Sequence, residues 1–201
     1  IVKTDTDLPL YIYGHSMGGG IAAAYIEQYP HDFHKAVLSS PMLKLMLPFP
    51  EGITCAITGF KCLIGQGDTF GPGQTPYHGY EDFSGSSSSN RARFDYYQHK
   101  KKACTAFQIS ASSYSWIYRS IRAIRKIRSR SACKKIVIPV LLLRCTKDAL
   151  IDPKGLQQFA GYCADCRLID FDNSRHEIYN SDDSVLSVYY GEIFAFLKDM
   201  P

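Results

Sequence analysis

The sequence contains no uninterrupted apolar run of about eighteen residues or more, so we expect no helix that spans a membrane. It contains no internal repeat. Its first residues form neither a signal peptide nor a start methionine, and we expect the chain to be a piece of a longer protein. With 201 residues, of which 45% are hydrophobic and 21% charged, it is long enough for one globular domain with a sizeable core.

Cysteines are odd in number, and only one CxxC pair occurs. The seven cysteines argue against a complete disulfide framework and favour a reducing, cytoplasmic compartment. Cys163 and Cys166 have neither a second CxxC pair nor a suitably spaced histidine pair beside them, so we expect no metal site. An oxidising compartment would allow a bridge between Cys55 and Cys62, and the sequence leaves that alternative open.

Positive charge is concentrated in one stretch of the chain. Residues 91–135 include thirteen Lys and Arg residues and one acid, a local charge of +12, whereas the rest of the chain carries −8. This block indicates an anionic partner, either phospholipid headgroups or nucleic acid; the alternative is a solvated helix face. Four arginines recur every three residues beside an isoleucine face: Arg119, Arg122, Arg125 and Arg128. We expect this helix to touch an anionic membrane peripherally, and we expect no nucleic acid partner.

One stretch combines a strand-like run, a glycine-rich turn and a helix-like run. The turn is Gly14-His15-Ser16-Met17-Gly18-Gly19, preceded by the apolar residues 8–13 and followed by the alanine-rich residues 20–27. A G-x-S-x-G turn between a strand and a helix is typical of a nucleophile elbow, in which a strained turn exposes the serine. Gly14 and Gly18 are expected to let strand and helix approach closely. The alternative is a glycine-rich turn that packs a helix and does no chemistry.

Three further apolar runs predict strands that extend the sheet, namely Lys35–Ser39, Val137–Cys145 and Arg167–Phe171. Between Met42 and Lys135 this alternation of strands and helices is lost. There we expect a helix or apolar loop from Met42, a flexible link over Gly85–Asn90, and helices at 91–102 and 114–130. The prediction is an α/β fold: a parallel sheet flanked by helices, from 1–41 and 136–201, with an inserted, mostly helical cap segment at 42–135.

A serine needs a base, and the base needs an orienting acid. Asp148 follows the third predicted strand and His176 follows the fourth. Because the carboxyl ends of parallel strands meet at one edge of a sheet, we expect Ser16, Asp148 and His176 to come together. Asp152 is a rival acid, but it is better placed to cap the next helix. Glu177 is expected to be a surface residue or a loop anchor.

Other residues are candidates for shaping the substrate site. We expect His15, Met42 and Trp116 to contact substrate, with Met42 and Trp116 among the apolar residues that line an acyl tunnel. The alternative is that these apolar residues form the cap segment's own small core. The remaining histidines have no strand-end context and are expected on the surface or in loops: His31, His34, His78 and His99.

Several segments together resemble the lysophospholipase and monoacylglycerol lipase family of serine hydrolases. They are Gly14–Gly19, Val37–Met42, the stretches around Trp116 and Arg119, Lys147–Asp152 and Ser174–Glu177. The resemblance implies an α/β-hydrolase fold, no cofactor, and hydrolysis of one acyl ester of a glycerolipid through Ser16, His176 and Asp148. It also implies an oxyanion hole to which Met17 contributes one amide.

The family's sheet has about eight strands, and this chain begins just before the fifth. We therefore expect the N-terminal half of the sheet, with the second oxyanion donor, to lie outside the chain. The main prediction is a carboxylester hydrolase of a lysophospholipid or monoacylglycerol. The alternatives are another small-ester or acyl hydrolase on the same residues, or a non-catalytic remnant that binds lipid or nucleic acid.

Overall fold

The computed structural model describes residues 8–71, 73–109 and 111–198. Within these ranges, parallel strands form one sheet in the order β1 (Tyr11–His15), β2 (Lys35–Ser39), β3 (Val140–Cys145) and β4 (Cys166–Phe171). The register places Gly14 beside Leu38, Leu38 beside Leu142, and Leu142 beside Leu168. The predicted α/β class, a parallel sheet flanked by helices, is confirmed.

Helices join and cover these strands. Helix α1 (Met17–Gln28) links β1 to β2, α6 (Pro153–Tyr162) links β3 to β4, and α7 (Asp183–Lys198) follows β4. The cap segment contains α2 (Glu51–Leu63), α3 (Arg91–Ala103), α4 (Tyr114–Ile127) and α5 (Arg130–Cys133). Short 3₁₀ turns occur at Phe83–Gly85, Thr105–Phe107 and Ile178–Asn180. In the described part of the chain, no helix is both long and apolar enough to cross a membrane.

The core has two halves, one on each face of the sheet. Leu38 and Leu142 pack on one face with residues of α1, α4 and α6. Val37 and Leu141 point to the other face, where Tyr189 of α7 is fully buried. Because neighbouring residues in a strand point to opposite faces, burial of both sets explains why β2 and β3 are continuous apolar runs.

Two predicted boundaries were wrong. Strand β3 begins at Val140 and not at Val137, which is exposed. Pro139 has no N–H and cannot donate to a neighbouring strand, although its carbonyl accepts a bond from the Ala36 amide. The predicted helix at 114–130 ends at Ile127, and Ser129 caps a separate turn, α5, through its hydroxyl.

The start of the cap segment contains a helix that the sequence did not predict. Residues 42–47 form an irregular loop without helix, in which Leu45 makes an isolated antiparallel bridge with Ile151. Helix α2 begins only at Glu51, directly after Pro50, which occupies its N-cap position. The predicted flexible link at 85–90 is also anchored, because Ser88 is buried and its hydroxyl donates to the Asn180 carbonyl at 2.8 Å.

Candidate active site

Ser16 lies in the turn between β1 and α1 with a φ of 53°. This left-handed conformation is costly for a residue with a side chain, so the surrounding structure has to hold it in place. The Ser16 amide donates to the Ser39 carbonyl at 3.0 Å, and the Ser16 carbonyl accepts from the Met42 amide at 2.8 Å. Both bonds tie the turn to the end of β2, and they fix where the hydroxyl points.

Two glycines allow the turn to be this tight. A Cβ on Gly14 would lie 2.6 Å from the Gly18 carbonyl oxygen, and one on Gly19 would lie 2.7 Å from the Pro41 Cβ. Gly18 itself faces open space. The close approach that the sequence assigned to Gly14 and Gly18 therefore belongs to Gly14 and Gly19.

The structure brings Ser16, His176 and Asp148 into one hydrogen-bonded chain. His176 Nε2 lies 2.8 Å from Ser16 Oγ, and His176 Nδ1 lies 2.8 Å from Asp148 Oδ2. An ionised carboxylate only accepts, so Nδ1 carries the proton and Nε2 accepts from the serine hydroxyl. The His176 and Asp148 side chains are 5% and 7% exposed, so these bonds are shielded from water.

Asp148 is held as a carboxylate by its neighbours. Burial raises the pKa of Asp148, but the bond from His176, the charge there and the amides of Leu150 and Ile151 together hold that pKa below its usual value. The two amides donate to Oδ1 at 2.8 and 3.0 Å, and the Cys145 thiol donates to Oδ2 at 3.3 Å. The bonds to Oδ1 fix the orientation of the carboxylate, so that Oδ2 faces the imidazole of His176.

His15 lies beside His176 and does not line the pocket that opens at Ser16. Its ring centroid is 4.9 Å from that of His176 and 4.9 Å from that of Tyr179, and its Nδ1 donates to the Ser39 carbonyl at 3.1 Å. Burial, followed by the charge of His176, lowers the pKa of His15 to about 4. The residue is therefore neutral at physiological pH and contacts His176, and its expected contact with substrate stays a prediction.

The rival residues have other roles. Asp152 Oδ1 caps α6 by accepting from the Lys154 amide at 2.9 Å, and its Oδ2 pairs with Lys44 at 2.7 Å. Glu177 accepts from the Asn180 side chain at 2.7 Å. The other histidines, His31, His34, His78 and His99, are exposed. In the described part of the chain, no three His, Cys, Asp or Glu residues are arranged to hold a metal ion.

An apolar pocket of about 510 Å³ opens at Ser16. Both Met42 and Trp116 line it, together with other cap residues: Leu45, Met46, Leu47, Phe49, Ile57, Thr58 and Ile117. The structure thus places these two predicted residues on the wall of one pocket. Leu43, which lies between Met42 and Lys44, is instead fully buried in the core.

The α2 wall of this pocket was missed from the sequence. That wall is formed by Thr54, Ile57 and Thr58. Apolar residues in and directly after α2 recur four, three and four residues apart, at Ile53, Ile57, Phe60 and Ile64, which is a helical period, although of these four only Ile57 lines the pocket. That spacing was the available signal. Leu150 and Ile151, which close the pocket from the core side, carry no comparable signal because they follow β3 in an irregular turn.

A second, more polar cavity of about 930 Å³ meets the apolar pocket. The two share Met17, Ser112, Trp116 and Leu150. Polar groups from several segments line the second cavity: Glu81, Asp82, Ser86, Ser87, Ser88, Lys101, Glu177 and Asn180. The apolar pocket at Ser16 therefore continues into a cavity whose lining mixes these polar groups with apolar ones such as Phe94 and Ile109.

The arginines of α4 do not form one exposed row. Arg125 Nε and Arg128 Nη2 donate to the same oxygen of Glu51, at 2.5 and 2.7 Å, and Arg128 also donates to the Leu43 carbonyl. These two side chains hold α2 against α4. Arg119 and Arg122 are exposed and bond to Ser115 and Tyr118 within their own helix. Arg125 is exposed as well, whereas Arg128 is largely buried, and the expected contact of the four arginines with a membrane stays a prediction.

A parallel sheet that gathers a serine elbow, a histidine and an acid at its carboxyl edge defines an α/β-hydrolase. A family model described as Hydrolase_4, serine aminopeptidase S33, matches residues 1–183. The chain belongs to this family.

Curated relatives include two lipid hydrolases. The probable lysophospholipase L2 of Haemophilus influenzae is 26% identical over 175 residues, covering 87% of this chain and 55% of that protein. The human monoglyceride lipase is 26% identical over 201 residues, covering 96% of this chain and 54% of that protein. The chain thus spans about half the length of the curated relatives it matches.

Solved structures show the same fold. A monoacylglycerol lipase of Paleococcus ferrophilus superposes with a TM-score of 0.69 at 20% identity, over 92% of this chain and 66% of that one. A soluble variant of the monoglyceride lipase of Saccharomyces cerevisiae, crystallised with a substrate analogue, gives 0.70 at 22% identity, over 95% and 62%. At these identities the likeness concerns the fold.

Proposed function

We propose that this chain carries the catalytic residues of a serine ester hydrolase that cleaves a fatty-acyl ester of a lysophospholipid or monoacylglycerol. The observation that carries the proposal is the hydrogen-bonded chain from Ser16 through His176 to Asp148, placed where an apolar pocket opens. The names of the lysophospholipase and monoglyceride lipase relatives support an ester of a lipid as the substrate.

In the proposed reaction Ser16 Oγ attacks the ester carbonyl while its proton passes to His176 Nε2. Asp148 stabilises the imidazolium that forms. The oxyanion accepts a hydrogen bond from the Met17 amide, which belongs to the first turn of α1, where N–H groups have no partner within the helix. When the C–O bond breaks, Nε2 returns the proton to the departing alcohol. Water then attacks the ester that joins the acyl group to Ser16 and gives a proton to His176 Nε2. The bond to Ser16 Oγ breaks, Oγ takes that proton back, and the fatty acid is released.

The two cavities support a division of the substrate. The acyl chain lies in the apolar pocket, whose wall is largely cap segment, and the alcohol lies in the polar cavity. The leaving oxygen has to face His176, and the neighbours of that histidine, Glu177 and Ser86–Ser88, line the polar cavity. In this proposal 42–135 is a cap inserted into a single partial α/β-hydrolase domain.

The proposal includes contact with an anionic membrane through α2. Four apolar side chains on one side of this helix and its C-cap are about half exposed, namely Ile53, Ile57, Phe60 and the C-cap residue Ile64. Its other side packs on α4, since a Cβ on Gly59 would lie 2.9 Å from the Tyr118 ring. Arg119 and Arg122 are exposed on α4, the helix that packs against α2. An exposed apolar face together with exposed cations on the neighbouring helix favours an anionic lipid surface, and Ile57 of that face also lines the acyl pocket.

The first test is covalent labelling with a fluorophosphonate probe, followed by hydrolysis of a panel of esters. We expect labelling that is lost in Ser16→Ala and retained in Ser131→Ala, an exposed serine of α5. The panel includes monoacylglycerols, lysophospholipids, short-chain esters and an aminoacyl anilide, because the family description names an aminopeptidase.

Preference for long-chain over short-chain esters supports the proposal. Preference for short esters would replace it with a small-ester hydrolase, and preference for the anilide would replace it with a peptidase. A folded protein that is never labelled, yet binds anionic liposomes or DNA in a salt-sensitive way, would indicate a non-catalytic remnant.

A further inference from the structure

Both residues that flank His176 are fastened to one stretch of the cap segment, which we call the serine segment (residues 83–90). On one side, the guanidinium Nη1 of Arg175 donates to the carbonyls of Phe83, Ser86 and Ser88 at 2.7, 3.1 and 3.2 Å. On the other side, the amide of Glu177 donates to the Ser87 carbonyl at 3.0 Å. The imidazole is thus held between two attachments to the same partner.

The histidine loop (residues 172–177) has no helix or strand of its own. Within it, the Ser174 hydroxyl donates back to the Phe171 carbonyl at 3.0 Å, which secures the start of the loop to β4. The position of its far end, where His176 lies, therefore depends on bonds to other segments. Arg175 supplies bonds to three separate carbonyls, and its guanidinium also lies over the Phe83 ring, 5.2 Å from the ring centre.

The serine segment is firm enough to act as an anchor. The Ser88 hydroxyl and the Asn90 amide both bond to the Asn180 carbonyl, at 2.8 and 3.1 Å, and Ser89 bonds to Ser181 at 2.8 Å. Ser86–Ser88 also line the polar cavity. One guanidinium therefore connects the wall of that cavity to the loop that carries the imidazole.

We propose that Arg175 is a positioning residue, which holds His176 in reach of Ser16 by binding the carbonyls of Phe83, Ser86 and Ser88. This inference rests on the proposed function, in which His176 is the base. Without the guanidinium the loop keeps only the backbone bond of Glu177 to this segment. His176 Nε2 then no longer stays 2.8 Å from Ser16 Oγ, and proton transfer slows.

Arg175→Met removes the donors and keeps an unbranched apolar side chain. For a short ester we expect kcat to fall by about tenfold to a hundredfold, which is the usual effect of displacing a catalytic group by about 1 Å. We expect KM to change little, because the acyl pocket is built by other segments. Arg175→Lys keeps the charge and three donors, so it should recover part of the lost kcat.

Arg93→Met is the matched control. Arg93 pairs with Asp183 at 2.5 Å, so it also joins the cap segment to the chain that follows the histidine loop, but the pair is exposed and contacts neither His176 nor its loop. We expect its kcat and KM to equal those of the unsubstituted protein. Melting temperatures of all three variants separate loss of position from loss of folding.

A second readout does not depend on turnover. The proton that His176 Nδ1 shares with Asp148 should give a far-downfield proton NMR resonance in the unsubstituted protein, in Ser16→Ala and in Arg93→Met. In Arg175→Met we expect this resonance to broaden or disappear while the protein remains folded. An unchanged resonance and an unchanged kcat in Arg175→Met overturn the inference. If the unsubstituted protein is not labelled at Ser16, the proposed function fails, and the resonance alone decides whether Arg175 positions the histidine.

Discussion

His15 and His176 lie with their ring centroids 4.9 Å apart, yet of the two only His176 is hydrogen-bonded to the Ser16 hydroxyl. Burial and the neighbouring imidazole keep His15 neutral, and its Nδ1 proton is committed to the Ser39 carbonyl. A neutral ring at this distance packs against His176 without opposing the positive charge that His176 acquires in the proposed reaction. This arrangement has a measurable consequence for stability.

His15→Phe should change how stability depends on pH. The pKa of His15 is 6.5 in the unfolded chain and about 4 in the folded one, so the unfolded state binds a proton first as the pH falls. His15 therefore costs the protein stability between pH 6.5 and 4, and phenylalanine removes this cost. We expect the variant to melt below the unsubstituted protein at pH 7.5, because a hydrogen bond is lost, and the gap to narrow at pH 5. A difference in melting temperature that is the same at both pH values would contradict the lowered pKa of His15.

Glu27→Gln should stabilise the protein in mildly alkaline solution. Glu27 is buried at the end of α1, its Oε1 has no hydrogen-bond partner, and burial raises its pKa to about 8 against the attraction of Lys135 and Lys126. The folded state retains a proton that the unfolded state loses above pH 4.5, so stability falls as the pH rises from 4.5 to 8.

Glutamine removes this loss, and we expect the melting temperature at pH 8 to rise by about 2–4 °C. At pH 5 the gain should be much smaller. Asp172→Asn, at an exposed carboxyl in the histidine loop, is the control and should show no such difference. A gain for Glu27→Gln that does not depend on pH would exclude titration of Glu27 as its cause.

Leu47→Trp should shorten the acyl chain that the protein accepts. Leu47 lines the apolar pocket, and an indole there fills part of its volume of about 510 Å³. We expect kcat/KM for a long-chain ester to fall about tenfold or more, which corresponds to at least about 1.4 kcal/mol, with little change for a butyrate ester. Leu63→Trp, at a fully solvated position of α2, provides the comparison. An equal loss for both esters would show that the substitution disturbs Ser16 and not the pocket.

Replacing Ile53 and Phe60 by serine should weaken binding to anionic liposomes. Both side chains are more than half exposed on the apolar face of α2, and their burial in the headgroup region provides the apolar part of the binding energy. Arg119→Gln with Arg122→Gln should instead lower binding mainly at low salt. Tyr96→Ser, on exposed α3, is the control. Binding that survives the serine substitutions would place the lipid contact elsewhere.

The candidate site was predictable because each of its polar residues follows a predicted strand. Ser16, Asp148 and His176 each come after an apolar run, and parallel strands bring such positions to one edge. Asp152 was also placed correctly as a helix cap, since the cap depends on residues within the same turn. Local pattern and sheet topology were sufficient for these positions.

Long-range side-chain contacts were not predictable in this way. Arg175 meets Phe83 and Ser88 across about ninety positions of chain, and a serine-rich run reads as a flexible link unless that partner is known. Similarly, the sequence of α4 predicts a row of unpaired arginines, because it does not show that Glu51 pairs with Arg125 and Arg128. Helix α2 was missed because glycine and β-branched residues in it have low helix propensity.

The walls of the apolar pocket come mainly from the cap segment, whereas Ser16, His176 and Asp148 lie at the edge of the sheet. The pocket walls should therefore tolerate substitution better than the turn that carries Ser16. Under the proposed function, substitutions along α2 and residues 45–49 should retune chain-length selectivity, as in a directed-evolution library, while the turn around Gly14 and Gly19 admits no added carbon without moving Ser16. New substrate specificities in this scaffold should arise by changing the cap segment and preserving the turn between β1 and α1.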